Sequence, residues 1–174
     1  MQRIVLITGG ARSGKSGFAQ RCCEEQAGTL LYVATARCED DEMAQRIARH
    51  RELRSERWQT CEEPLDLAGE RLREFASGHG AVMVDCITLW LTNLYFHHGE
   101  QSEPVLQAVD DFIASLDQFP APLFLVTNEL GSGIVPENRM ARQFRDLAGM
   151  VNQKLGCAAT EAWLVASGLP LRLK

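Results

Sequence analysis

The sequence predicts an α/β fold, a mainly parallel sheet flanked by helices with a short antiparallel strand near its C-terminal end, and three observations carry that expectation. First, Ile4-Val5-Leu6-Ile7 is an apolar run without polar alternation, the pattern of a strand buried on both faces. Second, similar runs recur at 30–34, 81–85, 123–127 and 161–166 with helical patterns between them. Strands and helices in that alternation give parallel pairing through right-handed crossovers. Third, the opening run leads into Gly9-Gly10-Ala11-Arg12-Ser13-Gly14-Lys15-Ser16, and a helix leads out. The pattern G-x-x-x-x-G-K-S is a phosphate-binding loop. Its glycines let successive backbone N–H groups turn around phosphate oxygens, its lysine reaches the β and γ phosphates, and its hydroxyl suits Mg2+. The class is therefore the P-loop NTPase fold, with ligands at the carboxyl ends of the strands.

The elements follow in order. A helix over 15–26 has Phe18, Ala19 and Cys22 inward and stops at Gly28, and the strand 30–34 completes a β-α-β unit. The acidic cluster Glu39-Asp40-Asp41-Glu42 suits a helix N-terminus, and Met43, Ile47 and His50 recur at helical spacing to about residue 55. Residues 58–64 have the composition of a loop. A helix over 65–76 follows, with Leu65, Ala68, Leu72 and Phe75 or Ala76 inward, closed by Gly78 and Gly80. The strand 81–85 ends in a carboxylate, Asp85. Helices over 87–96 and 103–118 come next, the second with Pro104 in its first turn. After the strand 123–127, the Gly- and Pro-containing stretch 128–136 is a loop at the functional edge. A long helix over 137–155, with Met140, Phe144, Leu147 and Val151 as its stripe, is stopped by Gly156. The strand 161–166, a turn and a terminal strand 171–173 end the chain, and with no linker or repeat residues 1–174 form a single nucleotide-binding domain.

With 174 residues, 45% of them hydrophobic, the chain has enough apolar material for a substantial core. A net charge of -5 argues against a nucleic-acid or membrane-surface binder, either of which needs a positive field. No apolar run reaches the length of a membrane span and no signal-peptide core precedes the first strand, so the expected compartment is the cytoplasm. Cys22, Cys23, Cys38, Cys61, Cys86 and Cys157 contain no C-x-x-C pair, and are best explained as free thiols in apolar settings.

Within the loop, Lys15 is the phosphate-reaching cation and Ser16 the Mg2+ partner. Asp85, at the end of its strand, is the expected second Mg2+ partner, with a cap for the following helix as the plainer alternative. A GTPase switch would carry Asn-Lys-x-Asp, which Thr127-Asn128-Glu129-Leu130 does not provide. A small-molecule kinase without a covalent intermediate, or a nucleotide-binding regulator, is allowed by these residues alone.

The motifs then match something narrower. Thr8 to Ser16, Asp40-Asp41-Glu42-Met43 leading to Arg46-Ile47 and His50, Val126-Thr127-Asn128-Glu129 through Gly133-Ile134-Val135-Pro136-Glu137-Asn138-Arg139, and Phe144-Arg145-Asp146 with Gly149 and Asn152-Gln153 span nearly the whole chain. Together they resemble the bifunctional adenosylcobinamide kinase and adenosylcobinamide-phosphate guanylyltransferase family of cobalamin biosynthesis. The resemblance implies phosphorylation of adenosylcobinamide by ATP or GTP. It then implies attack by a histidine on the α-phosphorus of GTP, and transfer of GMP to adenosylcobinamide phosphate. His50 is the matching histidine; by its spacing alone it is a helix-face residue. Family members can carry a second histidine where this chain has Arg49, which leaves His50 as the one candidate of its helix.

By the same resemblance Ala34, Thr35, Ala36, Arg51, Glu52, Leu53, Arg54, Glu62 and Asp85 line the GTP site, and the protein is a homo-oligomer, a trimer. Arg51 and Arg54 suit phosphate oxygens, and the Glu62 carboxylate suits the guanine N1–H and 2-amino edge. Asp85 is open to either role, Mg2+ partner or base for the kinase acceptor. If the helix starts near Asp40, His50 lies about ten residues along it, roughly 15 Å from the sheet edge. Attack requires an approach to about 3–3.5 Å. The expectation is that GTP draws His50 towards Lys15, with residues 35–39 and 57–64 as hinges.

Overall fold

The computed structural model describes residues 2–36 and 54–174. The strands are β1 (Ile4–Gly9), β2 (Leu30–Ala34), β3 (Trp58–Glu62), β4 (Ala81–Asp85), β5 (Leu123–Asn128), β6 (Glu161–Ala166) and β7 (Leu169–Arg172). The helices are α1 (Lys15–Glu24), α2 (Glu70–Ala76), α3 (Ile87–His97), α4 (Ser102–Ser115), which ends in a 3-10 turn at Leu116–Gln118, and α5 (Arg139–Ala158). The sheet runs β3-β2-β4-β5-β1-β6-β7. Every neighbouring pair is parallel except β6 with β7. The predicted mainly parallel sheet with a C-terminal antiparallel strand is thus the observed architecture.

The unbroken apolar runs exist because both faces of the sheet are covered. Ile4, Leu6, Leu31, Val33, Val82, Val84, Leu123 and Leu125 join one core with side chains of α2 to α5. The alternate residues Val5, Ile7, Leu30, Tyr32, Met83, Phe124 and Val126 join a second core under α1. Successive strand residues point to opposite faces, so a strand sandwiched between helices has no position for a polar side chain until its end. Each fully buried aliphatic or aromatic side chain contributes about 1.5–3 kcal/mol.

Four local expectations are corrected. Residues 58–62 form the edge strand β3 rather than a loop; among the described residues only one flank is paired, and the strand is half-buried or exposed throughout, so no apolar run marks it. The helix expected from residue 65 begins at Glu70. Its first turn is replaced by an irregular stretch in which the Glu63 carboxylate accepts from the Leu65 and Asp66 N–H groups and the Trp90 indole donates to the Leu65 carbonyl. Leu67 becomes a core residue there, while Phe75 is exposed. The long helix passes through Gly156 to Ala158, since its end is held from outside: Lys174 Nζ donates to the Gly156, Cys157 and Ala159 carbonyls at 3.2, 3.1 and 2.6 Å. On α1 the fully buried cysteine is Cys23, with Cys22 only partly covered.

Residue 57 ties the far end of α1 to the sheet edge. Its guanidinium donates to the carbonyls of Glu24, Gln26 and Gly28, and the neighbouring Trp58 indole donates to the Glu24 carboxylate. Carbonyls left over at a helix C-terminus are thereby satisfied by a cation, which the helix dipole also favours.

Candidate active site

The loop between β1 and α1 is built against the β6–β7 turn. A Cβ on Gly9 would lie 2.4 Å from the Val165 carbonyl oxygen, so no other residue fits where β1 turns over β6. Gly14 has φ 93°, the left-handed region that glycine enters freely. A Cβ at that position would also come 3.3 Å from Gly168 Cα. Gly168 N–H donates to the Ser13 carbonyl at 2.8 Å, which fixes the loop from behind. Lys15 is 9% exposed, and its Nζ donates to the Gly10 carbonyl at 3.1 Å. The Ser13 hydroxyl is buried with no hydrogen-bond partner among the described residues, the kind of polar atom a ligand oxygen satisfies.

Sheet register brings three predicted residues into one row. Ala34 pairs with Glu62 on one side and with Asp85 on the other. Paired residues share a face, and because Tyr32 and Met83 lie two positions earlier in the α1-side core, this row faces the same side as α1. Ser16, Gly17 and Gln20 of α1 face Tyr32, Met83, Asp85 and Arg54 across a small cavity. Asp85 Oδ2 accepts from the Tyr32 hydroxyl at 3.2 Å. Arg54 lies with its guanidinium carbon 3.8 Å from the Tyr32 ring centroid, and it donates to the Thr60 hydroxyl at 3.2 Å. Burial, reinforced by the Asp85 charge, pushes the Tyr32 hydroxyl well above its ordinary pKa, so it remains a donor at neutral pH.

Thr35 is fully buried, and its hydroxyl is committed to Cys86: it donates to the carbonyl and accepts from the N–H, both at 2.8 Å. Its side chain therefore holds the corner after Asp85 in place rather than turning to a ligand. Asn93 Nδ2 adds a second tie, donating to the Thr35 and Pro64 carbonyls at 2.7 and 3.0 Å. Cys86 caps α3 through its sulfur, and burial raises its thiol to about 11, which removes it as a nucleophile. On the other side of the P-loop, Glu129 N–H donates to the Gly9 carbonyl at 3.1 Å. The polar chain Thr88, Thr127, Asn152 and Asn128 braces that junction beneath.

The predicted P-loop, Ala34, Asp85 and Glu62 thus lie along one edge, with Ala36 half-buried beside them and Glu62 exposed. Arg54 reaches the cavity. Residues 39–53 of the helix expected over about 39–55, His50, Arg51, Glu52 and Leu53 among them, lie outside the described residues, and residues 54 and 55 are not helical. Sequence reasoning missed Tyr32, Gln20, Asn93 and the β6–β7 turn. Only the tyrosine left a signal, a hydroxyl inside an otherwise aliphatic strand.

The fold has a counterpart in the crystal structure of the RadB recombinase, with a TM-score of 0.52 over 93% of this chain and 73% of that one. At 15% identity that likeness concerns the fold alone. Sequence relatives are much nearer. The bifunctional adenosylcobalamin biosynthesis protein CobU of Escherichia coli strain K12 is 42% identical over 182 residues, covering 98% of this chain and 99% of the relative. Its Salmonella typhimurium counterpart is 44% identical over 184 residues with the same coverage, 98% and 99%. The bifunctional CobP protein of Pseudomonas aeruginosa is 40% identical over 169 residues, covering 97% and 96%. Residues 5–173 match the family described as cobinamide kinase / cobinamide phosphate guanyltransferase. With a phosphate-binding loop in place and full-length relatives named as bifunctional, this chain belongs to the cobinamide kinase / cobinamide phosphate guanyltransferase family, and its function is that pair of transfers.

Proposed function

We propose that a single nucleotide site, built on Gly9 to Ser16 and on the row Glu62, Ala34 and Asp85, serves both reactions. In the first, the hydroxyl of adenosylcobinamide attacks the γ-phosphorus of ATP or GTP, and the nucleoside diphosphate leaves. In the second, His50 attacks the α-phosphorus of GTP and pyrophosphate leaves. The phosphate of adenosylcobinamide phosphate then displaces the histidine, taking the guanylyl group to give adenosyl-GDP-cobinamide. A neutral imidazole is nucleophilic near neutrality, and its phosphoramidate passes the group on. The observation that carries the reading is the placement of Lys15, Ser16 and Asp85 about one edge and one face of the sheet, beside the α1 N-terminus.

A hydroxyl and a carboxylate lining one cavity fit Mg2+, which takes one or two protein oxygens together with phosphates and water. Ser16 and Asp85 would hold it. When bound, the ion offsets charge on the phosphate oxygens. Lys15 meets the β and γ phosphates, Arg51 and Arg54 meet phosphate oxygens, and Glu62 meets the guanine edge. Ala34 and Ala36 leave room for the nucleotide through their small side chains, while Thr35 holds their backbone. Glu52 and Leu53 belong to the same lining. The protein is proposed to assemble as a homotrimer, which sedimentation would test: a monomer at working concentration removes that part.

GTP labelled at the α-phosphorus tests the covalent step. Wild-type protein should acquire acid-labile, base-stable label, and His50→Ala should lose both label and guanylyl transfer while retaining much of the kinase reaction. Label on the folded His50→Ala protein would remove His50 as the nucleophile.

A further inference from the structure

Tyr32 occupies a position that neither half-reaction requires of a core residue. It is 9% exposed, and its ring is held on two sides: Arg54 lies over one face at 3.8 Å from the centroid, and Trp58 meets it edge-on at 6.4 Å. The partner strand explains its reach. Tyr32 is in register with Met83, and Asp85 is two residues further on, opposite Ala34. A diagonal neighbour of that kind is within reach of a long aromatic side chain, and the small Ala34 leaves the path open. The hydroxyl meets Asp85 Oδ2 at 3.2 Å, longer than a strong charge-assisted bond at about 2.5–2.7 Å. Its effect is directional: one carboxylate oxygen is engaged, which restricts the group's rotation.

We propose that Tyr32 is a positioning residue, whose ring, clamped by Arg54 and Trp58, uses its hydroxyl to aim the Asp85 carboxylate across the cavity towards Ser16. The proposal rests on Asp85 being the metal partner. A carboxylate on a strand end with free rotation must lose that freedom on ligation, whereas one already held by an outer hydrogen bond does not; removing such outer partners typically weakens metal binding by roughly ten- to a hundredfold.

The test measures Mn2+ affinity in the presence of α,β-methylene-GTP, which cannot release pyrophosphate, by the loss of the free-ion electron paramagnetic resonance signal. Wild type, Tyr32→Phe, Asp85→Asn and the double variant are compared. Tyr32→Phe keeps the ring and its contacts. It should weaken Mn2+ roughly tenfold in the presence of Asp85 and add nothing once Asp85 is Asn. In parallel, the Mg2+ concentration that half-activates the kinase should rise in Tyr32→Phe, with little change in rate at saturating Mg2+. Wild-type Mn2+ affinity in Tyr32→Phe alongside weakened binding in Asp85→Asn overturns the positioning role and leaves the metal reading in place. Unchanged binding in Asp85→Asn overturns both. Equal weakening by Tyr32→Phe in either Asp85 background overturns the route through that carboxylate.

Discussion

Lys15 arrives at the phosphate site already desolvated, with its ammonium turned onto the loop's own Gly10 carbonyl. A cation prearranged in this way needs little reordering when charge develops on a transferring group, which is where such contacts have most effect. Lys15→Ala should therefore lower phosphorylation and guanylylation together, each by about two to three orders of magnitude. Wild-type rates of either reaction in that variant would show that the two do not share one triphosphate site. Glu129 offers a pH-dependent reading of the neighbouring loop. Its carboxylate accepts from the Ser132 and Gly131 N–H groups, and these bonds, the Ser132 ones first, hold its pKa below the ordinary value. A depressed carboxylate stabilises the fold above its unfolded value, and that contribution is lost as pH falls through the folded one. The Gly131 and Ser132 amide shifts should thus be constant at neutral pH and move together only in acid, below the usual glutamate range; movement near neutrality would contradict the bond. At this scale the sequence was legible for placement where the signal is local: Lys15 and Ser16 open α1 and Asp85 ends β4, as their neighbours in the chain imply. Tyr32 and Thr35 were not legible in the same way, because their partners Asp85 and Cys86 are more than fifty residues away and only the sheet brings them together.

Among the elements, the strands buried on both faces were the most readable; of the exposed ones, β7 was expected only over 171–173, against the observed Leu169–Arg172, and β3 was missed. Strands β1, β2, β4 and β5 announce themselves as aliphatic runs, since helices cover both sides. Among the described residues the edge strand β3 pairs on one side only, and with no residue fully buried its sequence Trp58-Gln59-Thr60-Cys61-Glu62 has no apolar pattern to find. The end of α5 was hidden for a different reason: glycine is a common helix stop, but the true terminus is set by a lysine sixteen residues beyond the helix. Lys174→Ala removes three bonds to carbonyls at a helix C-terminus and should cost about 0.3–1 kcal/mol. The check is a lowered thermal midpoint that Lys174→Arg largely restores; an unchanged midpoint in Lys174→Ala would show the cap to be without energetic effect.

Over the whole molecule, the sheet order sets β5 between the phosphate-loop strand and the strand that carries Asp85. The phosphate loop and Asp85 are therefore joined through a strand buried from Leu123 to Thr127. Both margins of the stretch between 36 and 54 are anchored to this frame. Thr35 is fully buried and bonded to Cys86, and Arg57 and Trp58 are bonded to the far end of α1. Hinges at Thr35 and at Arg57–Trp58 are not what these contacts provide. The Arg57 clamp then gives the molecule a fiducial mark: position 59 is fixed to the same body as the phosphate loop, and the expected approach of position 50 on GTP binding can be surveyed from it. Spin labels at Gln59 and Arg21 should keep one separation on addition of GTP, and the separation between labels at positions 46 and 59 should change. A shift in the first pair would mean that the reference frame itself bends.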